Sequence, residues 1–475
     1  PEHLFQAKLV AAWLTGGAID PAYQVHLHAT YSLFYLLVFG FSQVMPLAAA
    51  GRAAISLYFV GMYVAARRVL WIHGSDQPPA AAAFLLAPLA VNHAYYLGFV
   101  NYLYALPLLL IGLTQLLAAL RAGWTGRSAT VHAALLAALL LCNAIALAMY
   151  LAVVGTWLLL RLGDRAARRR IALSLAVALA CAVAWMVAAA MHAGPGDGIA
   201  LHWLPLWRNA TFYLMGFTGY RLADGPHVGF LLLWVAAAIV ATGAVRWATL
   251  RHRHGLLLSA SGAAILLLVT LLGPFRAGAV AFVSPRAAEG SYLCLVLAAA
   301  MVAIPRRFAL ALGVAAGLLV ALTIGQEARV SAETATLKPL IALMAPGAAV
   351  YPQMIAPGSP ELESYVFEPH LHDVYYYHLA RGGVSPYLFP ARSASATPVS
   401  FAPGFALPAP PEDDPKFYWE VHGGAYRYVL TRGGNGKVFA YLRLGGDLRG
   451  VSGEWQLYER KTQPPPKGRP LKPLE

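Results

Sequence analysis

The sequence is short of charge, of cysteine and of acidic residues. Only 12% of its 475 residues are charged, and Lys and Arg outnumber Asp and Glu by 35 to 21. With 59% hydrophobic residues, this composition excludes an ordinary soluble domain. The three cysteines, Cys142, Cys181 and Cys294, all fall inside apolar runs, and the polar C-terminal part has none. No disulfide framework or cysteine metal site is therefore encoded, and the thiols read as small hydrophobes. Also missing are a Walker loop, a dinucleotide fingerprint, a G-x-S-x-G elbow and an H-E-x-x-H pair. No solenoid-type repeat is visible.

What the chain does have is apolar length. Runs fall at roughly 31–47, 50–66, 80–93, 100–120, 129–143, 144–160, 171–191, 228–247, 255–273, 289–304 and 308–325, many near the roughly 20 residues that cross a bilayer as a helix. The stretch 129–160 is too long for one crossing, and Asn143 near its middle predicts a tight hairpin. Pro88 and Pro107 are expected to kink their helices. The fold class is mainly α: a polytopic transmembrane helix bundle of about ten crossings over residues 50–326.

Charge placement orients the bundle. Residues 1–326 hold 20 Lys/Arg against 7 Asp/Glu, whereas residues 327–475 hold 15 against 14. The excess sits in the apolar part, where basic loops mark the cytoplasmic side, and no basic patch with interleaved aromatics suggests nucleic acid. Clusters at Arg67/Arg68, Arg121/Arg127, Arg161–Arg170, Arg246–Arg253 and Arg306/Arg307 are expected inside. Counting crossings back from Arg307 places residues 327–475 outside, on the extracytoplasmic face. Residue 49 is then also outside, and the run 31–47, broken by Ser42, Gln43 and Pro46, can lie along the interface.

After Gln326 the composition changes to Pro/Gly-rich segments and short alternating stretches. In "YRYVLTRGGNGKVFAYLRL", "RGGNGK" predicts a hairpin turn between two strands, and "GEWQLYER" predicts another strand. Residues 327–460 read as a small C-terminal α+β domain, and the proline-rich 461–475 as a disordered tail.

Four stretches resemble the GT-C class of membrane glycosyltransferases, in particular bacterial mannosyl- and aminoarabinose-transferase-type members. "PEHLFQAKLV" resembles the loop after that class's first helix, with an acid at the head of an interfacial helix. "YSLFYLLVFGFSQVMPLAAAGRAAISLYFVGMYVAARRVL" resembles its interfacial helix, polar break and inward helix. "APLAVNHAYYLGFVNYLYAL" resembles its second outer loop, and "FVSPRAAEGSYL" the arginine-bearing start of a late helix. The resemblance implies an exit helix ahead of Pro1 and a first segment, 1–49, of interfacial helices. It also implies a bacterial inner-membrane enzyme of the cell envelope, moving a sugar from a polyprenyl-phosphate donor to a glycan, lipid or protein acceptor on the outer side.

That chemistry needs a carboxylate for the acceptor proton and cations for the leaving phosphate. Glu2 is the candidate base, at a helix start where the dipole keeps it ionised; the plainer alternative is a helix N-terminal charge. Asp20 in "GGAIDPAY" is a second candidate, or a turn residue. His3 orients substrate or is structural. In "NHAYYLGFVNY", His93, Asn101 and Tyr102 are candidate sugar ligands, against an interfacial aromatic belt. The class often has an aspartate near Asn101, and its absence puts metal-assisted chemistry in doubt. No cofactor is fixed, and a divalent cation, Mg or Mn, is the one left open. Arg276 and Arg286 are candidate phosphate ligands, with Arg208 and Arg221 in second place, since guanidinium forks grip phosphate; the alternative is snorkelling to membrane lipid head groups. In "FEPHLHDVYYYHLARGG", His370, His372 and Tyr375 are candidates for acceptor recognition, against ordinary packing. A catalytically silent scaffold and a lipid or glycan transporter or flippase remain as alternatives. A transporter needs ionisable groups near mid-membrane and repeated halves, and neither is evident.

Overall fold

A computed structural model describes residues 1–26, 31–72, 84–160, 165–191, 201–218, 253–277, 282–301, 306–360, 368–387, 398–410 and 417–462. In chain order these form α1 (Glu2–Leu14), β1 (Tyr23–Val25), α2 (Leu33–Ser42), α3 (Leu47–Ile72), α4 (Ala87–Ala90), α5 (His93–Tyr96), α6 (Val100–Ala122), α7 (Gly126–Cys142), α8 (Ala144–Leu160) and α9 (Arg165–Met191). There follow β2 (Leu201–His202), α10 (Leu206–Thr218), α11 (Arg253–Leu272), β3 (Arg276–Ala277), α12 (Val283–Ala299), α13 (Arg306–Ala335) and α14 (Lys338–Leu343). The last elements are β4 (Val350–Met354), α15 (Tyr375–Arg381), β5 (Val399–Phe401), β6 (Tyr428–Arg432), α16 (Gly436–Gly445), β7 (Gly446–Ser452) and β8 (Trp455–Arg460). The chain divides into two units. One joins Pro1–Val25 to Gly325–Arg392 and Val399–Glu475, and the other holds His26–Ile324 with Ser393–Pro398.

The second unit is helical. Four stretches among the described residues are long and apolar enough to cross a membrane: Leu47–Trp71, Val100–Ala119, Gly255–Leu272 and Arg306–Leu343. α3 turns Leu57, Val60 and Val64 outward, and α13 turns Leu310, Val314, Leu318 and Leu322 outward. Apolar stripes at helical spacing on an outer face are what hydrocarbon demands. Inside, α11 packs against α12 and α8, and Gly262 permits it. A Cβ there would lie 2.7 Å from Val153 Cγ1 and 2.9 Å from Cys294 Sγ. The break expected at Asn143 is present: its Oδ1 accepts from the backbone of Ile145 at 2.9 Å and Ala146 at 3.3 Å, starting α8 anew. In the run 80–93 the described residues form a helical turn before α4 and no long helix: α4 spans four residues, and α5 starts afresh at His93. Pro88 and the turn at Asn92, whose Oδ1 accepts from Tyr95 N, explain the interruption. The run 228–247 lies outside the described residues.

The other unit carries a four-stranded sheet in the order β4-β6-β8-β7, with β4 parallel to β6 and the other neighbours antiparallel. Pro352 is tolerated in β4 because β4 is an edge strand. Tyr351, Phe417, Trp419, Tyr426, Val429, Leu442 and Tyr458 form its aromatic core. One expectation is corrected. "RGGNGK" is not a hairpin turn, and "GKVFAYLRLG" is helix α16. Asn435 caps that helix, its side chain accepting from Lys437 N at 3.1 Å and Val438 N at 3.2 Å. Val438, Tyr441 and Leu442 fit a helical face as well as alternation does, and they pack on the aromatic core. The strand at 455–460 is present as expected.

Candidate functional site

In the helical unit two of the predicted residues, Arg286 and Tyr102, meet at the start of α12. Arg286 occupies its first turn and is 5% exposed. Its guanidinium lies over the rings of Phe99, at 4.3 Å, and Tyr102, at 5.6 Å, and Nη1 donates to Tyr31 Oη at 3.2 Å. Among the described residues, Arg286 Nε and the buried Ser284 Oγ have no hydrogen-bond partner. Buried donors are normally satisfied, so two orphans in one helical turn mark a place for an acceptor. The turn is also strained. Phe282, just before α12, has φ 57°, a conformation costing about 1–3 kcal/mol for a bulky residue. Aromatic contacts with Phe275 at 4.8 Å, Phe99 at 5.7 Å and Phe212 at 5.9 Å hold it there.

One turn along α12, Glu289 is buried. Tyr102 Oη lies 3.3 Å from Glu289 Oε2 and 2.6 Å from the Arg286 carbonyl oxygen, and the backbone of Ala94 also bonds the Glu289 carboxyl. The carboxyl therefore stands close to the guanidinium without forming an ion pair among the described residues. Glu289, Ser284, Phe99 and Tyr31 were not singled out from sequence as site residues. The signal available was an acid and a serine at i+3 and i−2 from Arg286.

Asn101 is buried on α6, and its Oδ1 accepts from Phe34 N at 2.8 Å. It thereby caps the start of α2, which takes its carbonyl away from sugar binding. Arg276 is on exposed β3, apart from Arg286 in character. Arg208 is exposed on α10 and lies 5.3 Å from the Trp207 ring, an arrangement suited to snorkelling. His93 begins α5, with its side chain outside the described atoms, and Arg221 lies outside the described residues.

In the sheet-bearing unit, α1 buries Glu2, Phe5, Gln6, Leu9 and Val10. Phe5 anchors it, at 5.4 Å from the Tyr23 ring and 5.5 Å from those of Tyr375 and His378. Glu2 Oε2 lies 3.1 Å from His372 Nδ1, and Gln6 Nε2 donates to Glu2 Oε1 at 3.1 Å. Tyr375 is buried and donates to Tyr387 O at 2.7 Å, a packing role. His3 is half-buried beside Glu2. Asp20 is exposed, and its Oδ1 accepts from Ala22 N at 2.9 Å; this is the turn alternative rather than a catalytic one.

His370 belongs to a different cluster. Its ring is fully buried, with Nδ1 2.8 Å from Asp373 Oδ2 and Nε2 2.9 Å from Glu333 Oε2. Thr334 donates to Asp373 at 3.1 Å, and Ser359 donates to Glu333 at 2.9 Å. Arg432 completes it, 3.2 Å from Glu333 and 2.7 Å from Glu454. Both ring nitrogens are taken, so His370 is not available for acceptor recognition. Among the described residues no group of three or more His, Cys, Asp or Glu is arranged to hold a metal ion.

Two solved structures resemble this chain. Both are ArnT from Cupriavidus metallidurans, a GT-C glycosyltransferase, the class the sequence resembles. The apo crystal structure is 11% identical with a TM-score of 0.42, and the one bound to undecaprenyl phosphate is 13% identical with a TM-score of 0.39. Each match covers 96% of this chain and 93% of the other. No family model matches the sequence, and no curated protein matches it.

Proposed function

We propose that this chain is a membrane glycosyltransferase that takes a sugar from a polyprenyl-phosphate donor and passes it to an acceptor on the extracytoplasmic face of the inner membrane. The observation that carries the reading is Arg286: a buried cation, walled by aromatic rings, with an Nε that, like the Ser284 Oγ two residues before it, has no hydrogen-bond partner among the described residues. A phosphate is the natural acceptor for these donors, and in an apolar bundle the phosphate of a lipid is the one within reach. Tyr31 supplies a further polar contact. The lipid proposed is of the class named for one ArnT structure, but the proposal rests on Arg286 and not on that likeness.

In the transfer, Arg286 stabilises the charge that develops on the leaving phosphate. Arg208 and Arg276 serve the lipid interface. The test is binding of undecaprenyl phosphate to the full chain in lipid nanodiscs. Arg286→Gln should weaken it by about 10- to 100-fold, the value of one charge-assisted hydrogen bond. Equal affinity in the variant would remove the phosphate site.

A further inference from the structure

The bend between α4 and α6 holds another buried donor with nothing to bind. Asn92 is fully buried, and its Oδ1 accepts from Tyr95 N at 3.0 Å. That bond fixes which way the amide faces, and its Nδ2 has no hydrogen-bond partner among the described residues. Glu289 meets the same turn, its carboxyl taking the N–H of Ala94, the residue before Tyr95. Two side chains that grip consecutive backbone N–H groups lie side by side, so the unpaired amide stands next to the carboxyl. Of about four acceptor positions on a carboxylate, Tyr102 Oη, Ala94 N and the Glu289 backbone N–H occupy three. One acceptor position and one donor are left together.

The segment from Asn92 to Phe99 meets α12 twice. At one end the Phe99 ring lies 4.3 Å from the Arg286 guanidinium, and at the other the Ala94 N–H reaches Glu289, one turn further along. A helical turn rises about 5.4 Å, close to the reach from a phosphate to the hydroxyl on the carbon next to the anomeric one. A donor beside an acceptor fits a group that does both, which is a hydroxyl. An ammonium only donates and leaves Asn92 unpaired; a bare methylene leaves both groups unpaired.

We propose that Asn92 Nδ2 and the Glu289 carboxyl form a subsite for the sugar of the donor, holding its 2-hydroxyl while Arg286 holds the phosphate. This deepens, and rests on, the phosphate reading of Arg286. The hydroxyl accepts from Nδ2 and donates to the carboxyl, so the pair acts by orientation and selection. A sugar with a free 2-hydroxyl is favoured, and one with an amine or no group at that carbon leaves a buried polar atom unsatisfied, at a cost in affinity. Asn101 is no rival for this role, because its carbonyl is spent on the start of α2.

The test is equilibrium binding to the full chain in lipid nanodiscs. The probes are undecaprenyl phosphate and its glucose, mannose and arabinose derivatives, each sugar also in 2-deoxy form. Wild-type chain should bind at least one 2-hydroxy lipid about 10- to 100-fold more tightly than its 2-deoxy counterpart, the value of hydrogen bonding to a charged group. Asn92→Ser keeps an oxygen that can cap Tyr95 N but lacks the amide, so it should shrink that ratio to about threefold or less, the signature of direct coupling in such a cycle. Its affinity for undecaprenyl phosphate itself should be unchanged. Equal affinity of the wild type for every 2-hydroxy lipid and its 2-deoxy counterpart overturns the subsite. So does an Asn92→Ser chain that keeps the wild-type ratio, or that loses undecaprenyl phosphate as strongly as the sugar-bearing lipids. In each of those outcomes wild-type binding of undecaprenyl phosphate leaves the Arg286 reading standing. A wild type that binds none of the probes sinks both.

Discussion

Tyr102 on α6 and Glu289 on α12 are joined by a hydroxyl 3.3 Å from the carboxylate, and the same hydroxyl lies 2.6 Å from the carbonyl of Arg286. One tyrosine thus fixes the two charged residues that open α12. Tyr102→Phe removes one bond from a buried carboxyl that keeps its bond to the backbone of Ala94, so the loss should be about 0.5–1.5 kcal/mol, the net worth of one hydrogen bond. Thermal unfolding of the full chain in nanodiscs should show that loss, together with weaker binding of undecaprenyl phosphate. An unchanged midpoint would mean that the Glu289 carboxyl finds another donor.

A second prediction concerns Arg432, which is 3% exposed at its side chain between Glu333 and Glu454. Arg432→Ala leaves Glu333 facing His370 without its cation. Breaking a buried ion pair from one side costs about 3–5 kcal/mol, and the half-exposed Glu454 puts the expectation at the lower end. Denaturant unfolding of the full chain measures it, and a loss under about 0.5 kcal/mol, typical of an ordinary surface substitution, would show that the cluster is not cooperative.

The third prediction is a pH dependence. His378 is fully buried, with Nδ1 3.2 Å from Gly382 O, and burial holds its pKa down at about 4 against a usual 6.5. Between those values the unfolded chain binds a proton that the folded chain refuses. Stability from this group is therefore complete above pH 6.5 and drains as pH falls toward 4. The unfolding midpoint of His378→Phe should change less over that window than that of the wild type. Parallel curves would contradict the assignment.

The fourth is steric. A Cβ on Gly445 would lie 2.5 Å from Trp419 Cγ, and Trp419 is 5% exposed in the aromatic core. A buried indole has no room to move aside, so Gly445→Ala should destabilise this unit by about 1–3 kcal/mol through overpacking. Near-ultraviolet circular dichroism of the tryptophan should change with it.

The helical bundle was legible because hydrocarbon demands long apolar runs, and the break at Asn143 because its side chain competes for the backbone. The strand 428–432 was legible up to its end at Gly433. Helix α16 was not, since Val438, Ala440, Leu442 and Leu444 alternate while Val438, Tyr441 and Leu442 also share a helical face. Only the cap at Asn435 decides between the two. Arg286 was legible as a candidate phosphate ligand from its residue type and its place in "FVSPRAAEGSYL". The partners of His370 did not: Glu333 is 37 residues away, and Arg432 is 99 residues from Glu333. Pairing of Tyr23–Val25 with Val399–Phe401 was equally hidden. Such contacts are set by the closure of the fold and leave no local pattern.

The central claim is that Arg286 holds the phosphate of a lipid-linked sugar while that sugar is transferred. Its most direct measurement is single-turnover transfer from radiolabelled polyprenyl-phosphate sugars by wild-type chain and Arg286→Gln, side by side in nanodiscs. The account predicts release of polyprenyl phosphate by the wild type and a rate at least about 100-fold lower in the variant, the size expected when a charge-stabilising donor is removed. Equal rates, or a wild type that leaves every donor intact, would contradict it.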